Sequence, residues 1–349
     1  MDIKRLDNAL DLGNDWDSLS SSVIQGRSFL KHLEKTNHCH QRYYVLTRDN
    51  QITAGAIVYS LGVNLLTFSK RKLALPMQII GIPLSCDISG VIGKGNDVNV
   101  LISHILTHEK GILLCLNHNQ KIAHPGIIQL RTLPSMILNR KHSSWQEYLE
   151  AVRFPYRRRI KSALRKSDGI QIKQTSCHLF SDTHYKQYLQ VVRRSVTKLE
   201  ILNLDFFRNL NPEFKLNSFY KDNDLLYWNI SVEDGDDYSF LFGGLDYEKR
   251  DYFDSYINNL ITILQNGYQT SCKQFNLGQT AEIAKARFGA IPLEKSMFLF
   301  HKNPLARWVF RKMSGVLSYS QDLVINNVYK KEPIKTLKLK DHINYAKSV

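Results

Sequence analysis

The sequence predicts a mixed α/β protein, an α+β arrangement with mixed sheets, in two tandem lobes. Three observations predict it. The chain has 349 residues, long for one domain and enough for two that each bury a core. From Leu225 onward the elements read strand, strand, helix, strand, helix, strand, a mixed unit and not a plain βαβ repeat. Composition shifts abruptly after Asn139, from a β-rich stretch to a capped helix and then a dense basic helix. These features place a first lobe over residues 1–140, a second over 141–328 and a basic tail over 329–349.

In the first lobe, Phe29–Lys35 reads as a short helix. Arg42–Thr47 and Ile52–Ser60 read as strands of a hairpin around Asp49-Asn50. Val63–Phe68 continues the meander after Leu61-Gly62. Asn99–Thr107 is helical, and Ile112–Asn117 is a short buried strand. Ile127–Asn139 contains a further strand, with Pro134 placing it near an edge or a bulge.

The second lobe opens at Ser143-Ser144-Trp145-Gln146-Glu147, where Ser144 and Glu147 form a capping-box pattern. Tyr156–Lys166 is the next helix, with Ile160, Ala163 and Leu164 as its apolar stripe and Arg158, Lys161 and Arg165 on another face. Gly169 stops it. A strand over Ile170–Gln174 and a helix from about Asp182 to Leu199 follow. Leu225–Val232 and Tyr238–Leu245 form a hairpin across Asp234-Gly235. Tyr252–Gln265 is an amphipathic helix stopped by Gly267. Cys272–Leu277 is a strand, and Leu293–His301 reads as the final strand. Ala306–Leu317 reads as an amphipathic helix, and Lys330–Lys340 as a solvated lysine-rich tail.

Composition excludes some classes. Hydrophobic content of 43% with 23% charged residues fits a folded chain rather than a disordered one. No run approaches the roughly 20 apolar residues that a membrane span needs. Met1-Asp2-Ile3-Lys4-Arg5 lacks an apolar signal core, so export is not expected. The five cysteines are scattered, odd in number and without a CxxC pair, which fits a reducing cytoplasm and no disulfide framework. A net charge of +15 favours an anionic partner: nucleic acid, an anionic lipid surface, an acidic carrier protein or a phosphorylated cofactor. The alternative is simple solubilisation by lysine. His38, Cys39 and His40 lack a second ligand pair at metal-like spacing, so no metal is expected.

The densest chemical signal is Phe275-Asn276-Leu277-Gly278-Gln279-Thr280-Ala281-Glu282-Ile283-Ala284-Lys285-Ala286-Arg287-Phe288-Gly289-Ala290. It reads as strand, glycine turn and short helix, with Glu282 and Lys285 on neighbouring faces of one turn. Gly278 and Gly289 fall where the backbone must bend sharply or approach something closely. This stretch resembles the carboxy-terminal signature of the Fem-like branch of the GNAT acyltransferase superfamily. Two other segments share the resemblance. One joins Leu133-Pro134-Ser135-Met136-Ile137-Leu138 to Ser144-Trp145-Gln146-Glu147-Tyr148-Leu149 and Tyr156-Arg157-Arg158-Arg159-Ile160-Lys161. The other is Phe242-Gly243-Gly244-Leu245-Asp246 with the helix after it. Order and spacing match from about residue 130 to about 303, and the first lobe matches loosely over Phe29–Phe68.

The resemblance implies two GNAT-like lobes and acyl transfer from a thioester, acyl-CoA or acyl carrier protein, to a primary amine of an amino acid, amino sugar or peptide side chain. In the superfamily two central strands splay apart and the thioester lies between them. Backbone N–H groups stabilise the developing oxyanion; a base takes the amine's proton; no metal or bound cofactor is needed. The matching strands are Tyr238–Asp246 and Cys272–Leu277. Phe242, Gly243, Gly244, Asn276, Gly278 and Arg287 would then line the donor. One departure matters: Asp246-Tyr247-Glu248-Lys249-Arg250 stands where many members carry a glycine-rich pyrophosphate loop. That leaves room for an aminoacyl-tRNA donor and a cell-wall precursor as acceptor. A further alternative is a GNAT-shaped binding protein for an anionic partner, without chemistry.

The resemblance makes Lys285 a candidate for stabilising an anionic intermediate or donor phosphate; otherwise it is a solvated helix lysine. Glu282 would orient Lys285 or act as base, or else form an ordinary helix ion pair worth ~0.2–0.5 kcal/mol. Asp246 would accept a proton or position the amine, unless it simply ends a strand at a turn. His301 closes the last predicted strand and would reach the cleft, unless it is structural. Arg157, Arg158 and Lys161, with Arg159, Arg165 and Lys166, would bind a phosphorylated substrate or donor, or form a solvated face.

Overall fold

The computed structural model describes residues 1–69, 72–93, 95–120, 122–195, 199–321 and 325–330. Counting those residues, the chain divides into two compact units. One comprises Met1–Leu133, Val196–Leu210 and Glu294–Ser320; the other comprises Pro134–Ser195, Asn211–Leu293 and the segment from Gln321. The predicted tail lies outside the described residues beyond Lys330.

The first unit is built on β1 (Asp2–Leu6), β2 (Arg42–Arg48), β3 (Gln51–Asn64), β4 (Ala74–Ile80), β5 (Val91–Gly93), β6 (Ile112–Cys115), β7 (Ile128–Arg131) and β15 (Ser296–Phe300). Their spatial order is β1-β2-β3-β4-β6-β15-β7, with β5 paired to β3. The predicted first hairpin is β2–β3, and both turn residues, Asp49 and Asn50, adopt positive φ (49° and 61°), as a two-residue turn with the twist of its strands requires. Strands β4 and β6 run parallel, so a crossover must link them. It contains the helix α3 (Asn96–His108), which buries Val98, Leu101, Ile102 and Ile105 against the β2–β3 side of the sheet. The remaining helices here are α1 (Asp15–Leu19), α2 (Arg27–Thr36), α7 (Leu204–Arg208), α10 (Pro304–Lys312) and α11 (Ser314–Leu317). Arg42 and Glu109 form a largely buried pair at 2.6 Å, and Tyr44 donates its hydroxyl to the same carboxylate at 2.8 Å.

The second unit is built on β8 (Ser135–Asn139), β9 (Gln171–Ser176), β10 (Lys215–Lys221), β11 (Asp224–Asp234), β12 (Asp237–Leu245), β13 (Gln274–Asn276) and β14 (Ile291–Leu293), in the order β14-β8-β13-β12-β11-β10-β9. All neighbours are antiparallel except β12 and β13. Its helices are α4 (Trp145–Ala151), α5 (Phe154–Lys166), α6 (Asp182–Arg194), α8 (Ser255–Gly267) and α9 (Glu282–Ala286). Ser144 caps α4 by accepting the Glu147 N–H at 3.2 Å, and the Glu147 carboxylate accepts the Ser143 N–H at 3.1 Å. The core packs Met136, Leu138, Tyr148 and Ile160 against Leu260, Ile261, Leu264 and Phe275.

Three differences from the sequence reading have physical causes. Ile127–Asn139 is two strands, β7 and β8, parted at Pro134 and belonging to different sheets. Leu293–His301 likewise splits into β14 and β15, so the final strand lies in the first unit's sheet. Apolar periodicity specifies a strand and its buried face but not its partner. Helix α8 starts at Ser255, later than read, because Asp254 turns into the left-handed region (φ 49°). Among the described residues no helix is long and apolar enough to cross a membrane.

His184 ties α6 to the sheet. Its Nδ1 accepts the Ser181 N–H at 3.1 Å, so the neutral ring carries its proton on Nε2, which meets Ser218 Oγ at 2.9 Å. Its carbonyl accepts the Trp228 indole N–H at 3.0 Å. Burial pushes the ring's pKa down from 6.5 to about 4. The unfolded chain therefore binds a proton that the fold refuses. Stability present above pH ~6.5 is lost as pH falls toward 4, by on the order of 2–3 kcal/mol from this group. The denaturant midpoint should fall across that window, and His184→Asn, less stable at neutral pH, should show a shallower fall. Equal slopes in both proteins would contradict this assignment.

Candidate active site

The site begins with a failure of pairing. Strands β12 and β13 pair at only Asp237–Gln274, Tyr238–Phe275 and Ser239–Asn276. Beyond that, β12 continues to Leu245 with no strand along this edge among the described residues. The cause lies in where β13 sends its hydrogen bonds. Leu277 N–H donates to Met136 O at 2.9 Å, and Met136 N–H donates to Gly278 O at 3.1 Å. The chain thus stays with β8 and leaves β12. On the other side, Ile230 pairs with Phe242 and Ser231 with Phe240, so Leu241 is an extra residue in β12. A bulge of this kind bends the strand and sharpens its twist. The two strands form a wedge with Phe240–Leu245 along one wall.

The turn that closes the wedge is under conformational demand. Gly278 has φ +72°, and an added Cβ would lie 3.4 Å from Phe240 O and 4.0 Å from Lys285 Nζ. Thr280 (φ 63°) and Ala281 (φ 49°) follow in the left-handed region, which is costly for residues with a Cβ. Asn276 Oδ1 accepts the Gly278 N–H at 2.9 Å. Lys285 Nζ donates to Gly278 O at 3.0 Å and to Gln279 O at 2.6 Å, and the residue is only 2% exposed. Lys285 is therefore not the solvated helix lysine that periodicity allows; it holds the turn from inside. Glu282 is also buried. It lies beside Tyr256, whose hydroxyl is held well above its usual pKa, first by burial and then by the Glu282 charge.

The other predicted residues separate into groups. Phe242 is buried in the wall of β12. A Cβ on Gly244 would fall 2.1 Å from the Trp228 indole nitrogen, so this glycine is required by packing alone. On Gly243 it would lie 3.1 Å from the Phe240 ring. Arg287 is exposed at the end of α9. Asp246 takes the turn role: its N–H donates to Leu226 O at 2.9 Å, and its Oδ1 accepts the Glu248 N–H at 3.0 Å. His301 belongs to the first unit, where its Nδ1 accepts the Asn303 N–H at 3.0 Å.

The basic helix α5 is not uniformly available. Asp254, just before α8, accepts two hydrogen bonds from Arg159 at 2.7 Å and pairs with Lys166 at 3.3 Å. Burial alone would raise this carboxyl, but Arg159 and Lys166 outweigh it and hold it below the usual range. Arg157 reaches Glu150 O at 3.4 Å, while Arg158, Lys161 and Arg165 stay exposed and make no ion pair among the described residues. A shallow basic groove lined by Arg140, Lys141, His142 and Lys273 lies at the start of β13, the end opposite the wedge. Among the described residues no three His, Cys, Asp or Glu side chains gather as a metal site. Sequence reading missed Tyr256, Asp254 and the bulge at Leu241; none belongs to a local pattern, because each depends on register or on a distant partner.

Replacing Lys285 by Met should leave the half-buried carbonyls of Gly278 and Gln279 without this donor, costing about 1–3 kcal/mol. Amide exchange over residues 278–286 should accelerate at the same time. Unchanged stability and exchange would show that the ammonium does not hold the turn.

No protein-family model and no curated protein matches this sequence. Solved structures do. A crystal structure of FemX aligns at a TM-score of 0.56 and 11% identity, over 89% of this chain and 100% of that one. A conserved protein of unknown function from Bacteroides thetaiotaomicron VPI-5482 aligns at 0.55 and 9%, over 85% and 99%. A tandem GNAT protein from the clavulanic acid biosynthesis pathway aligns at 0.49 and 9%, over 87% and 99%. The fold is therefore similar to that of FemX, with two compact units of mixed α/β architecture, as the resemblance to Fem-like proteins implied.

Proposed function

We propose that this chain is an N-acyltransferase that uses the wedge between β12 and β13 to hold an acyl thioester. The observation that carries the reading is that β12 runs on past Ser239 without a strand beside it on this edge among the described residues, next to a bulge at Leu241. Backbone N–H groups on a free strand edge are fixed donors, suited to an oxygen that gains charge as the carbonyl is attacked. The amine nitrogen bonds to the carbonyl carbon, the C–S bond breaks, and the sulfur leaves with the electron pair. The amine's proton passes to a base, and the thiolate takes up a proton. Glu282 and Tyr256 are our candidates for this traffic: a buried carboxylate, and beside it a hydroxyl kept protonated. The donor is acyl-CoA or an acyl carrier protein; the acceptor is a primary amine of an amino acid, amino sugar or peptide side chain. Asp246 and His301, bound in local turns, have no part in this scheme.

One observation favours a second donor, an aminoacyl-tRNA, with a cell-wall precursor as acceptor. The approach to α8, where a diphosphate would be gripped, carries Asp254 already paired with Arg159 and Lys166. Meanwhile Arg158, Lys161 and Arg165 remain exposed on α5. Such a face suits a polyanion, and its binding would weaken steeply with salt.

Thiol release from a panel of acyl-CoA and acyl carrier thioesters, each with pooled amines, tests the first reading. Amine-dependent release is the expected result. Tyr256→Phe should then lower kcat by about 100-fold with little change in KM. No release, together with salt-sensitive tRNA binding that Arg158→Glu/Lys161→Glu abolishes, would replace it with the second. Neither signal would leave a non-catalytic binding protein.

A further inference from the structure

Helix α10 has two apolar faces, and among the described residues the first unit packs against only one of them. Phe310 is buried, and Ala306 and Met313 pack against the same cluster, joined by Leu317 of α11. Leu305, Trp308 and Val309, spaced three and four apart on the other face, are 67%, 58% and 38% exposed. Val316 in α11 is 50% exposed. A tryptophan on an exposed helical face adds nothing to a core, so this second stripe is not explained by folding.

The charge around the stripe has one sign. From Lys302 to Ser320 the chain contains no acidic residue. Lys302, Arg311 and Lys312 are exposed and make no ion pair among the described residues. Arg307 is engaged locally, donating to His301 O and Lys302 O at 3.1 Å. A second copy docked through this face would set these cations against their own equivalents. A face of leucine, valine and tryptophan with lysine and arginine at its borders instead matches a bilayer interface, with apolar side chains below the headgroups and cations among anionic phosphates.

We infer that α10 and the start of α11 form a docking surface for an anionic lipid bilayer, with Leu305, Trp308, Val309 and Val316 inserted and Lys302, Arg311 and Lys312 at the headgroups. This surface belongs to the first unit and the wedge to the second, and the inference does not depend on the proposed chemistry.

The test is sedimentation of the full-length protein with phosphatidylglycerol–phosphatidylcholine vesicles and with phosphatidylcholine alone, read together with tryptophan emission. Trp16 and Trp228 are fully buried and Trp145 is half-buried, so the part of a lipid-dependent blue shift that Trp308→Phe removes reports on this face. The expected result is salt-sensitive binding to the anionic vesicles only. Leu305→Glu/Trp308→Glu should lose it without loss of fold, since both side chains are exposed. The charge reversal Arg311→Glu/Lys312→Glu, which leaves the apolar stripe intact, should weaken it by about tenfold or more. Equal binding to neutral vesicles, or binding that survives these variants, would overturn the inference. So would Trp308 emission already shielded without lipid, which would mean another segment or a second copy covers the face.

Discussion

Two hydrogen bonds between the Leu277–Gly278 segment and Met136 decide the architecture of the second unit. They keep the chain beside β8 after β13 ends, and so withhold it from β12. Everything at the candidate site follows from that choice. Strand β13 pairs with β12 no further than Ser239 because its chain has turned to β8. The turn itself needs left-handed residues, and Lys285 must lie inside it to satisfy its carbonyls. Tyr148 secures the far end of the same segment by donating its hydroxyl to Phe288 O at 2.8 Å. Two of the segments that share the Fem-like resemblance therefore meet in space: Met136 of β8, Tyr148 of α4 and the Gly278–Phe288 signature hold one another. A local fault in any of them would be felt in the opening of the wedge.

Charge is organised by a second constraint, the carboxylate of Asp254. It engages both Arg159 and Lys166 at the approach to α8, so neither of these cations is left without a counter-charge there. The excess positive charge of the chain is thus expressed elsewhere, on the outer face of α5 and around α10. This distribution bears on partners more than on stability, since exposed unpaired cations contribute little to folding and much to association with anions.

Much of this was legible in the sequence where local chemistry decides the outcome. Asp49-Asn50 and Asp234-Gly235 specify tight hairpins, and Ser144 with Glu147 specifies a helix start. The same logic was available for Asp222-Asn223, whose φ values of 50° and 68° close the β10–β11 hairpin, yet β10 went unread because Lys215–Lys221 alternates weakly. What sequence does not carry is partnership. Strands β7 and β8, like β14 and β15, are contiguous in sequence and apolar, and nothing local says that each pair divides between two sheets. Lys285 illustrates the limit best. Spacing placed it near Glu282 on a helix face, and the signature gave it importance, but its bonds to Gly278 and Gln279 depend on a turn geometry that spacing does not specify.

The central claim is that the separation of β12 from β13 exists to receive an acyl donor. The most direct test is a crystal structure with a non-transferable ketone analogue of an acyl thioester, chosen from donors that the protein retains. The account predicts the analogue lying along β12, with its carbonyl oxygen within hydrogen-bonding distance of a backbone N–H between Phe240 and Gly244. An analogue bound away from this edge, with the wedge filled by the protein's own side chains, would contradict it.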